Sequence, residues 1–323
     1  MIDFPGVYET PGAGDYEMSA LLSECGNFHE ALVHIDQALA SADSLADPAP
    51  ATAVDANSIF YAKAVSLRCT CLAGLDRHAD AVAESAPFVD IYRAWEDRRV
   101  KGATEDLAAL YSARAEWLYE MGAPRRAFES AREAVKRFGQ LASQVSPIFR
   151  PPCAEALRRM AEYCYEAAPE SLGSELEAAF PYEDMTGRPS TELPRVADEE
   201  LREAKKLLRR NEKEPAEEHL DFATAHYLRL FSSNFHWGTD LTAVYYFHLT
   251  LRLSAKKPLR ALLDPSRRAL ECARRMYDAD PARHRENYRK TLQWRIHALD
   301  VNEQVDEADV LRRVTLRMRG DED

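Results

Sequence analysis

The stretch "GNFHEALVHIDQAL", residues 26–39, holds a His-Glu pair, His29-Glu30, and a second histidine, His34. It reads either as a zinc-hydrolase helix or as the turn and second helix of a structural repeat. The zinc reading needs His-Glu-x-x-His, which sets two imidazoles four residues apart on one face. Here they are five apart, about 140° around a helix axis, so they cannot share one ion. The repeat reading fits better. Gly26-Asn27 suits a tight helix-to-helix turn because both residues tolerate positive φ. Ala31, Ile35 and Ala38 then share one helical face.

A second stretch repeats the pattern. "GAPRRAFESAREAV" (122–135) also opens on Gly, places Ala127 five residues later and Ala134 seven beyond that, as Ala31 and Ala38 follow Gly26. The helix before each turn is patterned too, with Leu21 and Leu22 in one and Tyr111, Ala115 and Leu118 in the other. Small residues let two helices approach closely and large ones fill the gaps between them.

These features resemble the tetratricopeptide repeat (TPR) family, in degenerate, bacterial-type repeats. That resemblance implies an all-α fold of antiparallel helix pairs stacked as a solenoid, about 34 residues per repeat. The match is fullest over 111–134. Over 15–38, Ser19 is the small residue and Asp15 replaces the bulky one. A third unit, 65–88, has Val65, Cys69, Leu72 and Ala81, with Phe88 at the second alanine position. A fourth, 200–223, has Ala204, Leu207, Ala216 and Ala223. A helix pair over 241–279 ends at "DADP" (278–281), with Pro281 opening the next helix. The last unit, 292–315, has Leu292, Leu299 and Ala308, with Ile296 where a small residue is expected. The turn alanines thus fall at 31, 81, 127, 216 and 308. "FHLTLRL" (247–253) alternates as a strand would, but its flanks are helical and the segment is read as helix.

The expected organisation is a flexible N-terminus (1–14), a first helical array (15–180), a linker (181–197) and a second array (198–319). "PYEDMTGRPSTELPR" (181–195), with three prolines, marks the boundary, and "SADSLADPAPATAVDAN" (41–57) reads as an inserted loop. Over the 323 residues, 46% are hydrophobic and 30% charged, with only 12 glycines, a composition that favours soluble helices. The first residues have neither a basic start nor an apolar core, so no signal peptide is expected. No apolar run nears the length of a membrane span. Six scattered cysteines suit reduced thiols rather than a disulfide scaffold, and a cytoplasmic setting is expected.

The net charge of −12 is uneven. Residues 1–197 carry 18 Lys/Arg against 31 Asp/Glu, whereas 252–295 carry 13 against 5. The acidic front half discourages nucleic acid, and the basic segment could attract phosphates or an acidic protein face. Arg267, Arg268, Arg274 and Arg275 form a candidate basic patch there, read chiefly as a solvated face with Glu271, Asp278 and Glu286 nearby. No phosphate-loop, dinucleotide or serine-hydrolase motif is present. The segment 226–248 is rich in aromatics and histidines, among them His226, His236, Trp237, Tyr245, Tyr246, Phe247 and His248. It reads chiefly as helix packing, with a ligand pocket as the sharper alternative.

The resemblance further implies a binding groove lined by the first helix of each repeat. By register, that groove takes Lys63, Ser66, Glu116, Tyr119, Lys290, Gln293 and His297, while Tyr245, His248 and Arg252 share a face if 241–253 is helical. The family's peptide clamp uses lysines and asparagines, and the asparagine pattern is absent here. The expected function is therefore a non-catalytic scaffold or adaptor binding a protein or peptide, with no cofactor and no metal. The alternatives are a regulator touching nucleic acid through its basic C-terminal half, and an enzyme with a site near 226–248. Homodimer formation stays open.

Overall fold

The structure, a computed structural model, describes residues 11–43, 55–167, 192–233, 237–255 and 257–320. The described residues are helical with no strand, so 247–253 is helix as read. The chain divides into two compact units after Ala167. The first unit holds α1 (Ala13–Glu24), α2 (Phe28–Asp43), α3 (Ala56–Gly74), α4 (His78–Asp97), α5 (Ala103–Glu120), α6 (Pro124–Gln144) and α7 (Arg150–Ala167). The second holds α8 (Leu193–Arg209), α9 (Lys213–Ser233), α10 (Gly238–Ser254), a 3₁₀ turn (Leu259–Leu262), α11 (Leu263–Ala279), α12 (Pro281–Asp300) and α13 (Val305–Gly320).

Within each unit every helix packs on the next in sequence, and in the first unit α1 also meets α3 and α3 meets α5. Five of the connecting turns are built alike. Each has one residue in the left-handed region: Gly26, Asp76, Gly122, Asn211 and Glu303. The next residue's N–H returns to a carbonyl five back: Asn27 to Leu22, Arg77 to Leu72, Ala123 to Leu118, Glu212 to Leu207 and Gln304 to Leu299. This doubly bonded C-cap satisfies carbonyls that would otherwise be orphaned. The residue after the left-handed one then accepts the first bond of the new helix, from Ala31, Ala81, Ala127, Ala216 or Ala308.

Those five alanines are the ones the sequence pattern selects, and all are fully buried. Opposite four of them lies another fully buried small residue, twelve positions earlier: Ser19, Cys69, Ala115 and Ala204. The close approach is direct in the first pair, where the Ser19 hydroxyl donates to the Ala31 carbonyl at 2.8 Å. In the α5–α6 pair the Ser130 hydroxyl donates to the Tyr111 carbonyl at 3.0 Å. Side chains larger than these would force the helices apart.

Several boundaries differ from expectation. Residues 193–197 of the expected linker are the first turn of α8, with Leu193, Val196 and Ala197 buried. Their apolar spacing outweighs the loop signal of Pro194, which sits where the helix needs no N–H donor. Residues 168–191 lie outside the described residues. Of the expected flexible N-terminus, 13–14 belong to α1. Of the expected loop 41–57, 44–54 lie outside the described residues, α2 runs on to Asp43, and Asp55 caps α3 by accepting from Ser58 N–H at 2.7 Å. Asp280 caps α12 at Arg283 N–H, ahead of Pro281. Five cysteines are buried and Cys25 is exposed, all as free thiols. Burial pushes Cys69 and Cys272 up to about 12, which leaves them unreactive. No helix among the described residues is long and apolar enough to cross a membrane.

Candidate functional site

The aromatic and histidine-rich segment divides between core and surface. Tyr245 and His248, expected to face a partner, are only 2% and 1% exposed. The His248 Nε2 lies 3.1 Å from the Thr224 hydroxyl and 3.7 Å from Asp221, both on α9. His226 is buried too, stacked on Phe222. Burial, helped by the Arg229 charge, pushes it down to about 3, so it stays neutral. Thr242 and Cys272 meet beneath α10, and both bond to the Gly238 carbonyl. These groups join α9, α10 and α11 and none of them is placed to meet a partner. His236 lies outside the described residues. Among the described residues no group of three or more His, Cys, Asp or Glu could hold a metal ion.

The outward face of α10 is one residue out of phase with expectation. Tyr246 is 42% exposed, and Thr250 and Leu253 continue its stripe at helical spacing. Tyr246 stacks on Trp294 of α12, ring centroids 4.6 Å apart, and meets Phe247 at 5.9 Å. Lys205 of α8 lies over the Phe247 ring at 5.1 Å. A row therefore runs Lys205, Phe247, Tyr246, Trp294 across three alternate helices. Trp294 is anchored below by Leu249, Leu262 and Ala298.

The other expected residues of α12 flank this row. Gln293 and His297 are exposed beside Trp294, and Lys290 lies one turn earlier, 3.5 Å from Glu286. Arg252, expected to meet a partner, instead donates to the Ala261 carbonyl at 2.6 Å and pins the 3₁₀ turn. Sequence reading missed Lys205, Phe247 and Trp294 as neighbours. Their signal was present as two aromatics and a lysine on alternate helices, but no spacing rule relates helices that far apart in the chain.

In the first unit the expected residues also meet, though differently. Lys63 of α3 lies 3.9 Å from Asp106 of α5. Burial raises the Asp106 carboxyl to about 6, with Lys63 opposing and Glu105 reinforcing the rise. Ser66 donates to the Ala62 carbonyl of its own helix. Glu116 accepts from Arg159 of α7 at 3.0 Å, and Arg159 also holds Glu155 at 2.8 Å. Tyr119 stacks on Tyr163 of α7 at 4.5 Å and donates to Glu166 at 2.7 Å.

The expected basic patch is interleaved with carboxylates. Arg268 is buried and bonds Asp264, Arg267 also bonds Asp264, Arg275 bonds Glu271 at 3.0 Å, and Arg274 lies 3.7 Å from Asp278. Helical i,i+3 and i,i+4 spacing makes these pairs local. A phosphate backbone would have to displace four carboxylate contacts, and Arg268 is inaccessible to it. No family model and no curated protein matches this chain.

Proposed function

We propose that this chain is a non-catalytic protein-interaction scaffold, a TPR-like stack of helix pairs that takes a peptide segment of another protein along α8, α10 and α12. The observation that carries the reading is the stacked Tyr246–Trp294 pair, half exposed yet fixed from below. Rigid aromatic surface ordered before binding costs little entropy to use. Lys205 at the Phe247 end of the row, with Lys290 one turn before Trp294 on α12, suits a segment that carries carboxylates beside an apolar or aromatic side chain. The five alike turns support a stack in which first helices share one face. The buried histidines support a scaffold over an enzyme, because their imidazoles are spent on packing.

The test is a quantitative pull-down from the native host's lysate, with nuclease, comparing wild type with Trp294→Ala and Tyr246→Ala. A nuclease-resistant set of proteins lost in both variants is the expected result. A set that both variants retain would remove the row as the binding face, and a set that vanishes with nuclease would favour contact with nucleic acid.

A further inference from the structure

Residues 15–38 and 200–223 correspond position by position, 185 apart, as Ala31 and Ala216 show. Ser19 matches Ala204, Leu22 matches Leu207, Ile35 matches Leu220 and Ala38 matches Ala223. Two polar positions match as well. Asp15 corresponds to Glu200, and His34 to His219. In both places the imidazole Nδ1 of the second helix meets the carboxylate of the first, at 2.9 Å for His34–Asp15 and 2.6 Å for His219–Glu200. Other helix pairs carry different residues there: Val65 with Glu84, Tyr111 with Ser130, and Leu292 with Leu311. Each unit's first described helix pair therefore has the same His–carboxylate link.

We propose that the His219–Glu200 link is a proton-operated fastener, tightening α8 against α9 when the imidazole gains its second proton and slackening them when it is lost. A neutral ring protonated at Nδ1 donates an ordinary hydrogen bond to the carboxylate. The imidazolium donates a charge-assisted one, roughly twice as strong. The His219–Glu200 link is the more sheltered of the two, with side chains 25% and 17% exposed against 35% and 37% in His34–Asp15. It is therefore the less screened by solvent.

The surroundings agree. His219 faces Glu200 and Glu203 from α8 and Glu218 on its own helix; the Glu200 hydrogen bond holds its basicity above the ordinary histidine value, against the opposing effect of burial. On α10, the other helix packed on α9, His248 turns to Thr224 and Asp221, Arg252 to the Ala261 carbonyl, and Asp240 acts on Tyr227. Around His34, Asp36 is taken by Arg68 of α3 and Glu30 by Asn27, and Lys63 of α3 turns to Asp106. A raised folded-state value makes the His219 contribution full below the ordinary histidine range and lost as pH rises through that higher value.

The experiment is amide hydrogen exchange on the full chain at about pH 5.5 and about pH 8.5, straddling histidine titration, corrected for intrinsic exchange rates. Residues 193–233 are expected to open roughly 1.5- to fivefold more at the higher pH, the range for a partly exposed ion pair. Residues 56–97, where Val65 and Glu84 stand at the corresponding positions, should not follow. His219→Gln and Glu200→Gln should each abolish the change in 193–233 while matching wild type at the higher pH. That match separates loss of the fastener from damage to the fold. A pH dependence that survives in either variant, its absence in wild type, or a variant already loosened at the higher pH would overturn the proposal.

Discussion

The first-helix rows of the two units use similar residue types to opposite ends. In the first unit, Lys63, Glu116, Tyr119 and Arg159 are engaged across α3, α5 and α7, each meeting a partner on the neighbouring helix. In the second, Tyr246 is exposed and stacks between the half-buried rings of Phe247 and Trp294, with Lys205 over Phe247. Charged groups spent on neighbouring helices hold a stack together. Aromatics left half exposed over an anchored base offer area to something else. Side chains on the first helices are therefore engaged with one another in the first unit and leave Tyr246 exposed in the second.

The largest expected effect tests what the units share. Ala127→Leu in the first and Ala216→Leu in the second each add bulk at a fully buried helix crossing. Each should cost about 1–3 kcal/mol, read as a lower urea midpoint. An unchanged midpoint in either would break the claim that both units close on the same small-residue contact.

The next test separates the rows. Tyr246→Ala, at a ring 42% exposed, should weaken partner binding by about 2 kcal/mol, the scale of an aromatic anchor, with a smaller change in the urea midpoint than Trp294→Ala, whose ring packs on Leu249, Leu262 and Ala298. Tyr119→Ala should do the reverse, costing about 1 kcal/mol of stability through lost stacking and a lost hydrogen bond. Titration calorimetry with a captured partner, beside urea melts, reads both. Equal binding losses would erase the contrast between the rows.

Asp106 supplies a pH test confined to the first row. Its folded value of about 6 lies above the ordinary 3.8, so its protonated form is favoured by folding. That contribution is full below the ordinary value and lost as pH rises to about 6. Asp106→Asn should flatten this window and stabilise the neutral-pH protein by roughly 1 kcal/mol after screening. A less stable Asn variant at neutral pH would mean that the Lys63 contact outweighs burial. The smallest effect belongs to the basic patch. Arg274→Ala, at a side chain 69% exposed, should stay within about 0.5 kcal/mol in a urea melt.

Much of the fold was legible because its determinants are local. Gly26 and Gly122 announce turns that need a left-handed residue. Leu and Ala, nine residues apart across each turn, mark where two helices close. Asp76, Asn211 and Glu303 adopt the same conformation without glycine. The alanine pattern located those turns although glycine could not. Asp15 departs from the bulky residue of the repeat pattern, and its partner explains why: it meets His34 across the pair. The start of α8 was less legible, since Pro194 signals a loop and a helix's first turn equally well.

The candidate site was only half legible. Lys290, Gln293 and His297 were read onto the exposed face of α12 because one helix carries them at regular spacing. The face of α10 was misread by one residue, a turn of about 100°, which exchanged Tyr246 for Tyr245 and assigned His248 to the surface. Within Tyr245-Tyr246-Phe247-His248 every direction around the helix carries a ring, so hydrophobic periodicity has nothing to choose between.

By itself, then, the sequence determined helix type, turn positions and the small-residue crossings, because each depends on residues within about a dozen positions of one another. Tertiary structure alone decided which ring of α10 faces outward, that Lys63 meets Asp106 and Arg159 meets Glu116, and that Lys205, Tyr246 and Trp294 form one row. Those outcomes depend on the rotation of each helix against neighbours 40 or more residues away. That rotation is set by packing the opposite, buried face, where Thr224, His248 and Leu249 find their partners.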